Sequence, residues 1–285
     1  MIVRSPNRVS LDTRWRPLGN SGYRTVGDID MSTIDVFCVF PEAVKAIVHV
    51  GVVGRAIERG LVSLRTFDLR EYGPKGRIDD MPFGGGAGMV MRVDVVARAF
   101  KEVYEVAPRE VRENRRVLVT VPGGREIEQG YVRGLAEELE GGRGITIVCG
   151  RYAGMDERVY DILATETVSL GDFVLSGGEI VAAALSDAVI RLLGGVLGNQ
   201  ESLIGESFSR GGDLGAPQYT RPAVWDGEEV PTVLLSGDHA KIRAWQEEEA
   251  RTRTEARDEA RASTPQDREG NPAASEATDT THERR

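Results

Sequence analysis

Three stretches of this 285-residue chain carry residue types suited to chemistry on a bound molecule. In the first, an apolar run, Ile145 to Cys149, stops at once in Gly150-Arg151-Tyr152-Ala153-Gly154. The second runs from Val168 to Glu179 and holds Ser169, Gly171, Gly177 and Gly178. The third places Asp79 and Asp80 ahead of Gly84, Gly85, Gly86 and Gly88. Glycine at a strand end lets the backbone come close to a ligand and take positive φ. Two such loops at strand ends make a small-molecule cradle in an α/β domain. The glycine run after Asp80 could let a base or phosphate press against the backbone, which makes Asp79, Asp80, Gly84 and Gly85 substrate-side candidates. On glycine alone, all three read equally as turns or connectors. Carboxylates recur in the long loop 194–215, at Glu201, Glu206 and Asp213. Such loops are usually functional or disordered. Asp187 and Arg191 stand at i, i+4 spacing on an apolar helix pattern.

The elements that must position these groups alternate. Ile34 to Phe40 reads as a strand, and Pro41 to Gly60 as one helix with Val44, Ile47, Val48, Val52 and Ile57 on a face. Leu61 to Phe67 is a second strand and Val93 to Tyr104 a helix. Arg115 to Val121 is a third strand, ending at Pro122-Gly123-Gly124-Arg125. A helix over Gln129 to Leu139, the strand at Ile145, a short helical pattern from Asp156 to Ala164 and an apolar helix from Ile180 to Leu193 follow. That last helix reads as buried, at a subunit interface. Beyond the long loop, Val230 to Leu235 reads as a short strand, and a helix starts at Ser236-Gly237-Asp238. Alternation of this kind predicts an α/β fold with a mostly parallel sheet. The expected division is an N-terminal extension over 1–30, a main domain over 31–195, an interdomain active-site loop over 196–215, a small C-terminal region over 216–262 and a disordered tail over 263–285. From Gln246 onward there is no Val, Ile, Leu, Met or Phe, so that segment cannot build a core.

Composition excludes several classes. No apolar run approaches the roughly 18–20 residues a membrane span needs, and no secretory h-region is present. The expected location is cytoplasmic. Cys38 and Cys149 both lie in apolar runs and read as buried free thiols. Three His and no Cys/His cluster argue against zinc. A net charge of −9 argues against a broadly nucleic-acid-coating surface. GxGxxG after the first strand and a P-loop are both absent.

The motifs GRYAG at 150–154, DERV at 156–159, SLGDFVLSGGE at 169–179, YTRP at 219–222, VLLSGDHAKIRAW at 233–245 and DDMPFGGGAGMVM at 79–91 occur in order. Together they resemble the bacterial tRNA (guanine-N1)-methyltransferases acting on tRNA position 37, the TrmD family of the SPOUT superfamily. The resemblance runs from about Met31 to Trp245. It implies a SPOUT-type sheet with a deep C-terminal trefoil knot and a small helical C-terminal region, here reduced. It implies an S-adenosylmethionine site on three loops: Thr120, Val121, Pro122 and Gly124; Gly150, Arg151, Tyr152 and Gly154; and Ser169, Leu170, Gly171, Phe173, Val174, Leu175, Gly177 and Gly178. It further implies tRNA as partner, a homodimer with shared active sites, and magnesium. The positions matching the family's general base and its assisting cation are Glu206 and Arg191.

Three departures stand out. Glu206 replaces the usual Asp. Ala153 replaces the Glu of GRYEG. A polar tail replaces a helical tRNA-gripping region. Phe173 and Val181 stand where Tyr and Pro are common. Candidate phosphate contacts are Arg55, Arg59, Arg92, Arg151, Arg210 and Arg221. The departures open a second reading, a paralogue that methylates another RNA or a small molecule, and a third, a non-catalytic binding protein.

Overall fold

The computed structural model describes residues 33–198, 205–209 and 212–263. The expected N-terminal extension, Glu201, Arg210 and the tail from residue 264 lie outside the described residues. The chain divides into two compact units, Met1–Gln200 and Glu201–Arg285.

The first unit opens with β1 (Thr33–Cys38), α1 (Pro41–Val48), α2 (Gly51–Glu58) and β2 (Ser63–Asp68). A short antiparallel pair follows, β3 (Asp79–Asp80) and β4 (Val90–Met91), then α3 (Val93–Tyr104) and α4 (Pro108–Asn114). The remaining elements are β5 (Arg116–Glu126), α5 (Gln129–Glu140), β6 (Ile145–Cys149), β7 (Glu166–Ser169) and α6 (Glu179–Ile190). The 5-stranded sheet has order β2-β1-β6-β5-β7, and every pairing in it is parallel. This is the α/β architecture that the alternation predicts.

Strand residues alternate between two cores, because successive side chains leave a strand on opposite faces. Ile34, Val36, Leu118, Ile145 and Ile147 pack on one face with α1, α2, α5 and α6. Phe37, Val117, Val119 and Val148 pack on the other with α3 and α4. A parallel sheet covered on both faces needs near-continuous apolar strands, and Ile145 to Cys149 is one. Among the buried polar residues of the strands, Asp35 of β1 carries a charge and is fully buried. Its carboxylate accepts from Arg65 Nε and Nη2 at 2.7 and 2.8 Å and from the Tyr104 hydroxyl at 2.9 Å, and lies 3.0 Å from Arg115 Nη2. Both cysteines are buried and unbridged.

Four expectations are corrected. The helix over Pro41 to Gly60 is two helices, because Val50 is extended and Gly51 takes φ +63°. The face is reset there, so Ile47 and Val52 are exposed while Val53 and Ala56 are buried. The third strand does not end before Pro122. It leaves its pairing after Thr120, rejoins β7 at Arg125 and continues to Glu126. The pattern over Asp156 to Ala164 is a single π turn, Val159–Leu163. In the second unit, Val230 to Leu235 is no strand. A hairpin of β8 (Val224–Trp225) and β9 (Glu228–Glu229) precedes it, and α7 (Thr232–Leu235) begins directly after Pro231. Proline has no N–H for a ladder and presets φ for a helix start.

The last described element of the second unit is α8 (His239–Ser263), whose start is capped by Asp238 Oδ1, 3.1 Å from Ala240 N and 3.2 Å from Lys241 N. No residue of α8 is buried, and polar contacts hold the chain against it. Thr254 Oγ1 accepts Leu214 N at 2.9 Å, and Arg257 donates to the Gly212 carbonyl at 2.9 Å. Among the described residues, no helix is long and apolar enough to cross a membrane.

Candidate functional site

β5, β6 and β7 are adjacent parallel strands, and the break inside β5 after Thr120, the first loop of the site, lines one cleft with the loops that leave the C-terminal ends of β6 and β7. This is where α/β sheets bind ligands. A cleft of about 350 Å³ opens there, within the size range of small-molecule sites. Its lining includes Thr120, Val121 and Pro122 from the first loop and Gly150, Arg151, Tyr152 and Gly154 from the second. Ser169, Leu170, Gly171, Phe173, Val174, Leu175, Gly177 and Gly178 come from the third. The cleft thus gathers every cofactor position implied by the resemblance except Gly124. That residue lies beside it, where a Cβ would sit 2.6 Å from Val168 N. Ala153, Tyr160 and Val181 complete the wall.

Short hydrogen bonds fix the loops to one another. Thr120 Oγ1 accepts Gly150 N at 3.0 Å, and the Gly150 carbonyl accepts Gly178 N at 2.9 Å. Ser169 Oγ donates to the Gly171 carbonyl at 2.9 Å and closes the third loop on itself. Gly178 is obligatory for closeness, since a Cβ there would collide with the Thr120 hydroxyl and meet Cys149 Cα at 3.0 Å. Tyr152 takes φ +59°, an uncommon conformation for a residue with a Cβ. Such strain persists only where the surroundings enforce it.

Two charged groups frame the cleft. The Glu179 carboxylate is buried and accepts Val39 N, Phe40 N and Arg151 Nε at 3.3, 3.3 and 3.0 Å. Arg151 also lies over the Phe40 ring at 4.4 Å. Beyond the second loop, Asp156 accepts from Arg158 Nε at 2.8 Å. This bond is the main reason its carboxyl titrates below the usual range. Burial pushes the Tyr160 phenol up, so it stays protonated at neutral pH.

The glycine-rich segment meets the same loop through backbone. Ala153 N donates to the Met89 carbonyl at 3.0 Å, and Met91 N donates to the Gly154 carbonyl at 2.9 Å. Gly84 and Gly85 take φ of +88° and +77°. Asp79 pairs with Met91 across β3 and β4. Asp80 lies 2.9 Å from Arg77 Nη2 and 3.7 Å from Arg92 Nη1. None of Asp79, Asp80, Gly84 and Gly85 lines the cleft.

Arg191 caps α6, its N–H donating to the Asp187 carbonyl at 3.0 Å, and it does not line the cleft. Glu206 belongs to the second unit. There it borders a groove of about 590 Å³ together with Asp213, Arg243, Arg251 and Glu255. Among the described residues, no group of three or more His, Cys, Asp or Glu side chains is placed to hold a metal ion.

Sequence reasoning passed over Tyr160 and did not assign Val181 to the site. Val181 carries no chemical signal. Tyr160 sits in a segment whose π turn has no recognised sequence signature, so its approach to Gly154 was not legible.

The family model described as "tRNA (Guanine-1)-methyltransferase TrmD" matches residues 32–261. A tRNA (guanine-N(1)-)-methyltransferase of Cereibacter sphaeroides is 48% identical over 225 residues, covering 78% of this chain and 88% of the relative. Those of Rhodopirellula baltica and Persephonella marina are 45% and 43% identical, covering 77% and 74% of this chain and 89% and 80% of their own lengths.

Proposed function

This chain belongs to the tRNA (guanine-1)-methyltransferase family, and we propose that it transfers a methyl group from S-adenosylmethionine to N1 of guanosine at position 37 of tRNA. The observation that carries this reading is the cleft on the β5, β6 and β7 loops, which collects residues of all three motif segments. Its residues fit the cofactor. Leu170, Leu175 and Val181 offer apolar walls, backbone groups of three loops surround it, and glycine leaves room where side chains would intrude. When bound, the cofactor supplies an electrophilic methyl group on a sulfonium.

Guanine N1 carries a proton at neutral pH and is a poor nucleophile until that proton leaves. We assign Glu206 as the carboxylate that removes it. Arg191 is the cation facing the charge that then develops on O6. Asp79, Asp80, Gly84 and Gly85 are assigned to the substrate side, where β4 meets the second cleft loop. Magnesium usually takes one or two carboxylates together with substrate oxygens. Among the described residues none form a cage for it, and no step is assigned to it.

The reading extends to architecture. A trefoil knot would form the three cleft loops, and two copies would pair through the α1, α2 and α6 side. Ile47, Val50, Val52 and Ile180 are exposed on those helices and their junction, and association would cover them. A cytoplasmic location accords with a tRNA substrate.

The test is methyl transfer. The protein is incubated with S-adenosylmethionine, magnesium and unmodified tRNA bearing guanine at positions 36 and 37, and digested nucleosides are read by mass spectrometry. The expected product is 1-methylguanosine, lost when position 37 is changed. Cofactor binding with no such product would overturn the assignment.

A further inference from the structure

The geometry points to Tyr160 as an additional cofactor-binding residue, whose phenol donates a hydrogen bond to an oxygen of bound S-adenosylmethionine. This inference rests on the methyltransferase reading and adds a contact that the three motif loops do not contain.

Tyr160 stands in the Val159–Leu163 π turn, closed by Ala164 N donating to the Val159 carbonyl at 3.0 Å. Turns of this type are rare and are frequently found at functional sites. Here the extra residue brings the side chain to the cleft wall beside Ala153 and Gly154. The hydroxyl itself is located there. A Cβ on Gly154 would lie 3.7 Å from Tyr160 Oη, so the oxygen abuts the second cleft loop.

The hydrogen-bond count then decides its role. Tyr160 Oη accepts the Met155 N–H at 3.1 Å. A phenol also has one proton to donate, and no acceptor among the described residues takes it. Ala153 and Gly154 bring no polar side-chain atom to this part of the wall. Burial keeps the phenol protonated through the neutral range, so it is a standing donor. The oxygen acceptors available on the cofactor are its carboxylate and its ribose hydroxyls.

The test is titration calorimetry of the full chain and of Tyr160→Phe with S-adenosylhomocysteine and with 5′-methylthioadenosine, which lacks the amino acid. The expected result is a loss of about 5–10-fold in affinity for S-adenosylhomocysteine, the effect of one ordinary hydrogen bond. In turnover, the KM for S-adenosylmethionine should rise by a similar factor while kcat and the KM for tRNA stay within twofold. If the loss disappears with methylthioadenosine, the acceptor is the carboxylate; if it persists, the acceptor lies on the nucleoside. Affinities within twofold of the parent for both ligands would overturn the inference. A lowered melting temperature with unchanged affinity would also overturn it, by assigning the hydroxyl to Met155 and the fold alone. A parent protein that binds neither ligand would sink the methyltransferase reading itself.

Discussion

Arg151 Nε lies 3.0 Å from Glu179 Oε1, and this contact ties the second cleft loop to the first residue of α6. The same carboxylate receives the backbone N–H groups of Val39 and Phe40, at the end of β1. One buried anion therefore holds a strand end, a helix start and a loop of the cleft together. Breaking such a pair from one side leaves the other charge uncompensated.

Glu179→Ala should lower unfolding free energy by about 3–5 kcal/mol, the usual result of removing one partner of a buried ion pair. Glu179→Gln should lose less, because its amide oxygen still accepts from Val39 and Phe40. Urea denaturation of both variants checks the order. Glu179→Gln should also weaken cofactor binding by freeing Arg151, read by calorimetry.

Gly123 and Gly124 are neighbours with opposite expectations. A Cβ on Gly123 meets nothing within 4 Å, whereas one on Gly124 meets the Val168 and Thr167 backbone at 2.6–2.8 Å. Gly124→Ala should cost about 1–3 kcal/mol of stability by overpacking and reduce cofactor affinity by displacing the first loop. Gly123→Ala should leave both within error. Equal effects in thermal melts and calorimetry would refute the packing account.

Glu206→Gln tests the assigned base. The amide keeps the size but cannot take the N1 proton, so kcat should fall by about 10²–10⁴-fold. Cofactor affinity should not change, because Glu206 does not line the cleft on the first unit's loops. Single-turnover methylation beside calorimetry separates the two, and an active Glu206→Gln enzyme would remove this residue as base.

Acid should act through Asp156. Its carboxyl is held below the usual 3.8, first by the Arg158 side-chain hydrogen bond. A depressed folded-state value means that the group's stabilisation is fully present above 3.8 and is lost as pH falls through the lower folded value. Asp156→Asn should therefore flatten the fall in melting temperature below about pH 4 and leave its pH dependence above pH 5 unchanged. A melting-temperature series from pH 2.5 to 7 reads this directly.

The path from sequence to site was uneven. Ile145 to Cys149 declared itself a buried strand because a strand covered on both faces must be nearly continuous in apolar residues, and this run is interrupted by Thr146 alone. The glycine segments at 150–154 and 169–178 were legible as a ligand cradle only through the wording that resembles one family, since glycine alone reads equally as a turn. The break at Gly51 was not, since the apolar spacing of Val44, Val48 and Val52 continues smoothly across it. The Val224–Glu229 hairpin was hidden because each of its strands is only two residues long.

The sequence by itself determined the alternation of strands and helices, the loops that end β6 and β7, and the wording that resembles one family. These are local properties, set by side-chain period and backbone freedom over a few residues. Only the tertiary structure decided that Glu179 would hold Arg151 together with the end of β1, that Gly124 would press on Val168, and that Tyr160 Oη would reach Gly154. Such relations depend on how the strands stack side by side and how a turn is wound. Their energies come from contacts between groups that packing brings within hydrogen-bond or van der Waals distance, and residue order does not record them.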